Sequence, residues 1–295
     1  MHFDFQNATS NLKHHDVVIV VAGAADHVVF QAIHQASKVL PLKFILIGNE
    51  SEIKSLLTQY PLSAQIIHET NNSKIGELAV KCIRDKQANV IMKGLLDTKD
   101  VLKAVVNNTI GIKRQSLLSH VALMQYPSLN KSFIITDCAM NIQPNVEEKW
   151  QIIKNAVMVA IKLGIQTPKV ALISAVEKVN PKIISTTDAQ TIMERAKNDN
   201  KTNFIVDGPF AMDNILSPHA AEHKGIVSEI AKDPDILLFP DLVSGNVFYK
   251  SSVFLGNAVP AGVIIGAQVP IILTSRADSH ESKLNSILLG VMLND

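Results

Sequence analysis

Short apolar runs recur along this chain, with helix-like segments between them. They are VVIVVAG at Val17–Gly23, FILIG at Phe44–Gly48, VIMKG at Val90–Gly94 and FIITD at Phe133–Asp137, followed by VALISA at Val170–Ala175, FIVDGP at Phe204–Pro209, ILLFPD at Ile236–Asp241 and PIILTS at Pro270–Ser275. Continuous aliphatic runs of this length suit strands buried on both faces, and their alternation with helical segments predicts an α/β fold with largely parallel sheets. Several runs end in small or polar residues, as expected where strand C-termini open onto a binding crevice. No internal repeat or low-complexity linker divides the chain. Its length of 295 residues points to two domains, so the boundary is expected as a compact crossover near Gln125–Lys131, where YPSLNK breaks the pattern. The expected division is residues 1–125 with 268–295, and residues 126–267.

Phe254–Ser275 contains no charged residue and is long enough to span a bilayer. Asn257, Pro260, Gly262, Gly266, Gln268 and Pro270 interrupt it, so it reads as a helix end followed by short buried strands, and no membrane partner is expected.

With 47% hydrophobic and 19% charged residues the chain can bury a large core. A net charge of +1 without a basic block gives no reason to expect nucleic acid as a partner; small anions remain compatible. Cys82 and Cys138 are too few for a disulfide framework and too distant in sequence for a local metal knuckle. The opening MHFDFQNATSNLKHHD has neither the basic nor the apolar part of a signal peptide, and a cytoplasmic location is expected.

The richest chemistry lies in PIILTSRADSHESKL, Pro270–Leu284. A strand runs straight into Ser275 and Arg276, and Asp278 or Ser279 can cap a helix whose apolar positions are Leu284, Ile287, Leu288 and Met292. Free N–H groups at a helix start and a permanently charged arginine fork favour a phosphate or another anion; an ordinary strand-to-helix turn is the alternative.

Three more strand ends carry polar groups. ILLFPDLVSGNVFYK offers Asp241, Ser244, Gly245 and Asn246; FIVDGPFAMDN offers Asp207, then Asp213, which also suits a helix cap; FIITDCAMN offers Asp137, Cys138 and Asn141. Cys138 has no nearby histidine in sequence placed to activate it. HAAEH, His219–His223, matches the H-x-x-E-H zinc pattern, but Pro218 opens that helix and no third ligand is evident, so a solvated helical face is expected and no metal. Neither G-x-G-x-x-G nor a P-loop is present.

In order and wording these segments resemble the phosphate acetyl/butyryltransferases: KGLLDTKDVLKAV, DCAMN, ALISAVEKVNPKIISTTDAQ, VDGPFAMDN, HKGI, FPDLVSGNVFYK and PIILTSRADSHESKL. The resemblance runs from Val17 to the C-terminal helix, and SAVEKVNPK and TSRADS are similar to the butyryl branch. It implies a cleft between two α/β domains, similar to the isocitrate/isopropylmalate dehydrogenase fold. The implied reaction is acyl-CoA plus phosphate giving acyl phosphate plus CoA, with both as substrates, no tightly bound cofactor, and a homo-oligomer. Ser275 and Arg276 are the implied catalytic pair, Arg276 neutralising phosphate or the developing oxyanion and Ser275 bonding the CoA sulfur or acyl oxygen. Cys138 is implied to lie nearby without acting as a nucleophile, and a further arginine matches Arg114, with Lys113 competing. Asp207, Asp213, Asp241, Ser244, Gly245 and Asn246 complete the expected substrate contacts.

One position departs from the family. Where the acetyl branch carries an aspartate seven residues after the catalytic serine, this chain has Ser282. Glu281, Asp278, Asp241 or Asp213 are substitutes for a base, or none is needed, since phosphate is already a nucleophile and a thiolate leaves readily. Phosphate acetyltransferase, or an acyl-CoA binding protein without turnover, are the alternatives.

Overall fold

A computed structural model describes residues 3–10, 16–199, 202–274 and 278–294. Along the chain the elements are α1 Phe5–Ser10, β1 Val18–Ala22, α2 His27–Val39, β2 Lys43–Gly48, α3 Glu50–Gln59, β3 Ala64–His68, α4 Asn72–Arg84, β4 Val90–Lys93, α5 Thr98–Val105, β5 Ser119–Tyr126 and β6 Lys131–Thr136. There follow α6 Val146–Lys162, β7 Lys169–Ile173, α7 Ile184–Asn198, β8 Ile205–Phe210, α8 Met212–Leu216, α9 Pro218–His223, α10 Glu229–Lys232, β9 Ile236–Leu238, α11 Leu242–Phe254, β10 Val259–Ile265, β11 Ile271–Ile272 and α12 His280–Met292.

The chain forms two compact units: Asp4–Leu118 with Pro260–Asp295, and Met1–Phe3 with Ser119–Val259. Their junctions stand at 118/119 and 259/260, a few residues before the expected 125/126 and 267/268. Gln125–Lys131, read as a crossover, holds a tight 3-10 turn, Pro127–Leu129, closed by left-handed Asn130 at φ 49°. It folds β5 back onto β6 as an antiparallel pair, Ala122 opposite Ile135 and Tyr126 opposite Lys131.

In the discontinuous unit the strands run in the order β3, β2, β1, β4, β11, all parallel, with β10 antiparallel at the end. Ile19, Val20 and Val21 of β1 and Val90, Ile91 and Met92 of β4 are fully buried, which explains the unbroken apolar runs. The uncharged stretch from Phe254, described as far as Thr274, resolves into the end of α11, β10 and β11, and no helix among the described residues is long and apolar enough to cross a membrane.

In the inserted unit β5 and β6 are antiparallel, and β6, β9, β7 and β8 follow in parallel. Phe133 and Ile135 of β6, Leu237 and Phe239 around the end of β9, and Phe210 of β8 form one core with Ile215, Ile230 and Ala231 of the short helices, and Phe248 of α11 packs against it. The long helix α6 begins at Asn145, which forms a reciprocal capping box with Glu148, and buries Trp150, Ile152 and Ile153.

Candidate active site

In the inserted unit two of the predicted strand-end motifs come together. β6 and β9 are neighbours, so the loop after Thr136 and the start of α11 emerge side by side. Asp241 caps α11, its Oδ1 accepting from the Ser244 N–H at 2.9 Å while Ser244 Oγ donates to the Asp241 carbonyl at 3.0 Å. Asn246 donates from Nδ2 to the Cys138 carbonyl at 2.9 Å, and the Leu242 N–H donates to the Ile142 carbonyl at 3.0 Å. Gly245 lets the helix approach this loop, because a Cβ there would stand 2.4 Å from the Asp137 carbonyl oxygen. Cys138, Asp241, Ser244, Gly245 and Asn246 thus form one stitched corner.

Asp137 holds that corner from within. It is 2% exposed, and its carboxylate accepts four hydrogen bonds: from the Ala139 and Met140 N–H groups on Oδ1, and from the His120 N–H and Asn141 Nδ2 on Oδ2. Cys138 is 1% exposed, and burial, reinforced by the Asp137 charge, pushes its thiol well above the ordinary value. A thiol kept protonated at neutral pH is a poor nucleophile.

Sequence reading missed His120. The pairing of β5 with β6 brings its backbone to Asp137, whose Oδ2 accepts from the His120 N–H at 3.1 Å across 17 residues of sequence. Its ring meets Tyr249 edge-on at 6.1 Å, and its buried Nδ1 has no hydrogen-bond partner among the described residues. Burial lowers its pKa more than Asp137 raises it, so the imidazole is held neutral. An isolated histidine on an apolar strand carries no sequence signal of such a position.

Asp207 and Asp213 go elsewhere. Asp207 lies inside β8, opposite Ala171, and accepts from the Gly208 N–H rather than ending the strand. β7 separates β8 from β9, so β8 runs about 10 Å from β9, two strand spacings away. Asp213 sits in the first turn of α8 and pairs with Lys224 at 2.9 Å, a contact that lowers its pKa; Lys224 also meets Glu177 at 3.4 Å. Asn214 closes that turn, accepting from the Ala211 N–H on Oδ1. In α9, capped by Ser217, His219 and His223 stack with ring centroids 6.2 Å apart on the exposed side. No group of three or more metal-ligating side chains is found among the described residues.

In the discontinuous unit, Ser275 and Arg276 lie outside the described residues. Thr274 is buried, and Ser279 is the cap of α12, its Oγ accepting from the Ser282 N–H at 3.1 Å. Ser282 is itself buried: its Oγ contacts Ser279 Oγ at 2.9 Å and its carbonyl accepts from Ser286 Oγ, which in turn accepts from the Gly262 N–H. Ser282 therefore locks the helix start in place, Glu281 beside it is exposed, and Asp278 is half-buried. Arg114 is anchored through its backbone, its N–H donating to the Gly266 carbonyl at 2.8 Å, and its side chain is exposed like that of Lys113.

A pocket of about 150 Å³ opens at the C-terminal ends of β1, β4 and β11, lined by Asp26, Val28, Val29, Lys93, Gly94, Leu95, Thr274 and Lys283. Gly94 passes so close to Gly23 that a Cβ would stand 2.1 Å from the Gly23 carbonyl oxygen. Lys93 and Lys283 are both buried; Lys93 Nζ donates to the Gly94 and Leu96 carbonyls at 3.0 Å, and Lys283 Nζ to the Asp278 carbonyl at 2.5 Å. Burial lowers the Lys283 pKa, opposed by the charges of Asp278 and Asp26. A lysine closing an apolar strand, like Lys93, or lying on a helical pattern, like Lys283, looks solvated, so neither was singled out from sequence.

Comparison with known proteins places this arrangement. The sequence profile described as phosphate acetyl/butaryl transferase matches residues 55–291. A probable phosphate butyryltransferase of Bacillus subtilis is 40% identical over 283 residues, which are 96% of this chain and 95% of that protein. The crystal structure of a branched-chain phosphotransacylase from Enterococcus faecalis superposes with a TM-score of 0.85 at 33% identity, covering 94% of this chain and 99% of that one. A 4-hydroxythreonine-4-phosphate dehydrogenase from Klebsiella pneumoniae, at 13% identity and a TM-score of 0.55 over 95% of this chain and 100% of that one, shares the dehydrogenase-like fold alone. The chain is an acyltransferase and belongs to the phosphate acetyl/butaryl transferase family.

Proposed function

We propose that this chain is a phosphate butyryltransferase, moving a short or branched acyl group from the sulfur of CoA to inorganic phosphate. The likeness to the Bacillus subtilis protein across 96% of the chain carries this reading. A phosphate oxygen adds to the thioester carbonyl, the carbonyl carbon passes through a tetrahedral oxyanion, and the C–S bond breaks to release CoA thiolate and acyl phosphate. Arg276 neutralises the anion and Ser275 hydrogen-bonds the sulfur or the acyl oxygen. The exposed Arg114 side chain suits the phosphates of CoA, and the Cys138, Asp241, Ser244, Gly245 and Asn246 corner supplies a rigid wall for substrate.

Transfer is direct, within a ternary complex. The buried, protonated Cys138 thiol supports this, because no nucleophile of depressed pKa offers an acyl-enzyme route there. Ser282, already bonded within the cap, leaves no carboxylate at that position, in keeping with phosphate acting as nucleophile without a base.

We further propose a cytoplasmic homo-oligomer. Both cysteines are free and buried, and α11 exposes Val243 by 70%, Val247 by 59% and Phe254 by 64%, an apolar face that association would cover. CoA release from acetyl-, butyryl- and isobutyryl-CoA, with and without phosphate, tests the function and the acyl preference together. Absence of phosphate-dependent release from all three overturns it.

A further inference from the structure

We propose that the pocket lined by Lys93 and Lys283 is the seat of the phosphate substrate, an assignment that rests on the acyltransferase reading above. The walls come from two strand ends and two helix starts: Asp26, Val28 and Val29 at the beginning of α2, Lys93 at the end of β4, Thr274 after β11, and Lys283 from the first turns of α12.

The argument begins with the cost of the lysines. An ammonium taken out of water is expensive unless its protons find acceptors. Lys283 is 3% exposed, yet among the described residues its Nζ makes one hydrogen bond, to the Asp278 carbonyl. An ammonium carries three donors, so two remain for whatever enters the pocket it lines. Lys93, 8% exposed, adds a second fixed positive charge on the same wall. Asp26 opposes them, but its Oδ1 is engaged by the Val29 N–H at 2.8 Å as the cap of α2, whose positive end faces the same space. The lining is net cationic.

Size selects the anion. Sites for drug-sized molecules run to about 300–1,000 Å³, and this pocket, at about 150 Å³, matches a small tetrahedral ion better than a whole nucleotide. A phosphate oxygen must also lie close to the acyl carbon it attacks, and Thr274, a wall residue, is bonded in sequence to Ser275. The phosphates of CoA are the other source of the same chemistry.

Steady-state kinetics separate the two. Lys283→Met is expected to raise the KM for phosphate about tenfold or more, the usual weight of a charged hydrogen bond, and to leave the KM for acyl-CoA unchanged. Val28→Glu is the companion variant. Val28 is half-buried in the first turn of α2, where a carboxylate suits the helix, so this protein is expected to fold normally while its new charge repels phosphate from the pocket mouth. Calorimetric titration with inorganic phosphate alone reads binding without turnover. An unchanged phosphate KM in folded Val28→Glu, or a rise confined to the KM for acyl-CoA, overturns the assignment. If the wild type binds phosphate, both variants lose that binding, and no acyl-CoA supports turnover, the acyltransferase reading has failed and the phosphate seat stands.

Discussion

Gly245 in the first turn of α11 lies against the Asp137 carbonyl, with room for a hydrogen and none for a methyl group: a Cβ would sit 2.4 Å from that oxygen and 3.3 Å from Cys138 Cα. The contact is backbone on backbone, so neither side yields by a rotamer change. Gly245→Ala is expected to lower stability by about 1–3 kcal/mol, the usual cost of overpacking, and to reduce turnover by displacing Asn246 from the Cys138 carbonyl. Thermal unfolding measures the first effect; a melting temperature equal to wild type refutes the packing argument.

Arg276→Ala is expected to lower phosphate-dependent turnover by roughly two to three orders of magnitude, the weight of a donor that stabilises developing charge. Ser275→Ala is expected to impair turnover with the melting temperature nearly unchanged. Rates within threefold of wild type for Arg276→Ala refute its role.

Cys138→Ala is expected to keep substantial activity, since a thiol that burial holds protonated supplies no nucleophile. Initial-rate patterns are expected to be sequential, and mass spectrometry after acyl-CoA treatment to find no acyl group on Cys138. Ping-pong kinetics, or a trapped thioester at this residue, overturns direct transfer.

His120 makes stability depend on acidity in a defined direction. Its folded pKa lies below the ordinary 6.5, because burial disfavours the imidazolium. As pH falls through 6.5 the unfolded chain takes up a proton that the folded chain refuses, so the contribution of His120 is full above 6.5 and declines below it until the folded value is passed. Urea unfolding at pH values on both sides of 6.5 is expected to show wild type losing more stability on acidification than His120→Met. Equal losses in the two proteins exclude His120 as the cause.

The strands legible in the sequence are those whose residues are buried on both faces, such as Val18–Ala22 and Val90–Lys93. Ala64–His68 was hidden because it is half-exposed, and Ser119–Tyr126 because Ser119, His120 and Gln125 interrupt its apolar run. The site followed the same division. Strand-end motifs were visible as composition, including Cys138 and Asp241–Asn246, but their meeting depends on β6 lying beside β9, which no local pattern encodes. Helix α12 shows the limit most clearly. Its apolar positions Ile287, Leu288 and Met292 are buried as expected, yet so are Ser282, Lys283, Asn285 and Ser286, which periodicity assigns to solvent.

The interruption of one unit by the other also imposes a schedule on synthesis. β4 gains β1 as soon as Lys93 is made, but its second neighbour begins at Ile271, which is 271 − 93 = 178 residues later. At roughly 5–20 residues per second that gap lasts roughly 10–35 s. Until then the ribosome carries a four-stranded half-sheet whose Val90–Met92 edge is apolar and unpaired, and every strand of the inserted unit is delivered before that edge is covered. The newborn chain is thus most prone to sticking to its neighbours at mid-length. Refolding from denaturant, where β11 is present from the start, has no such waiting period.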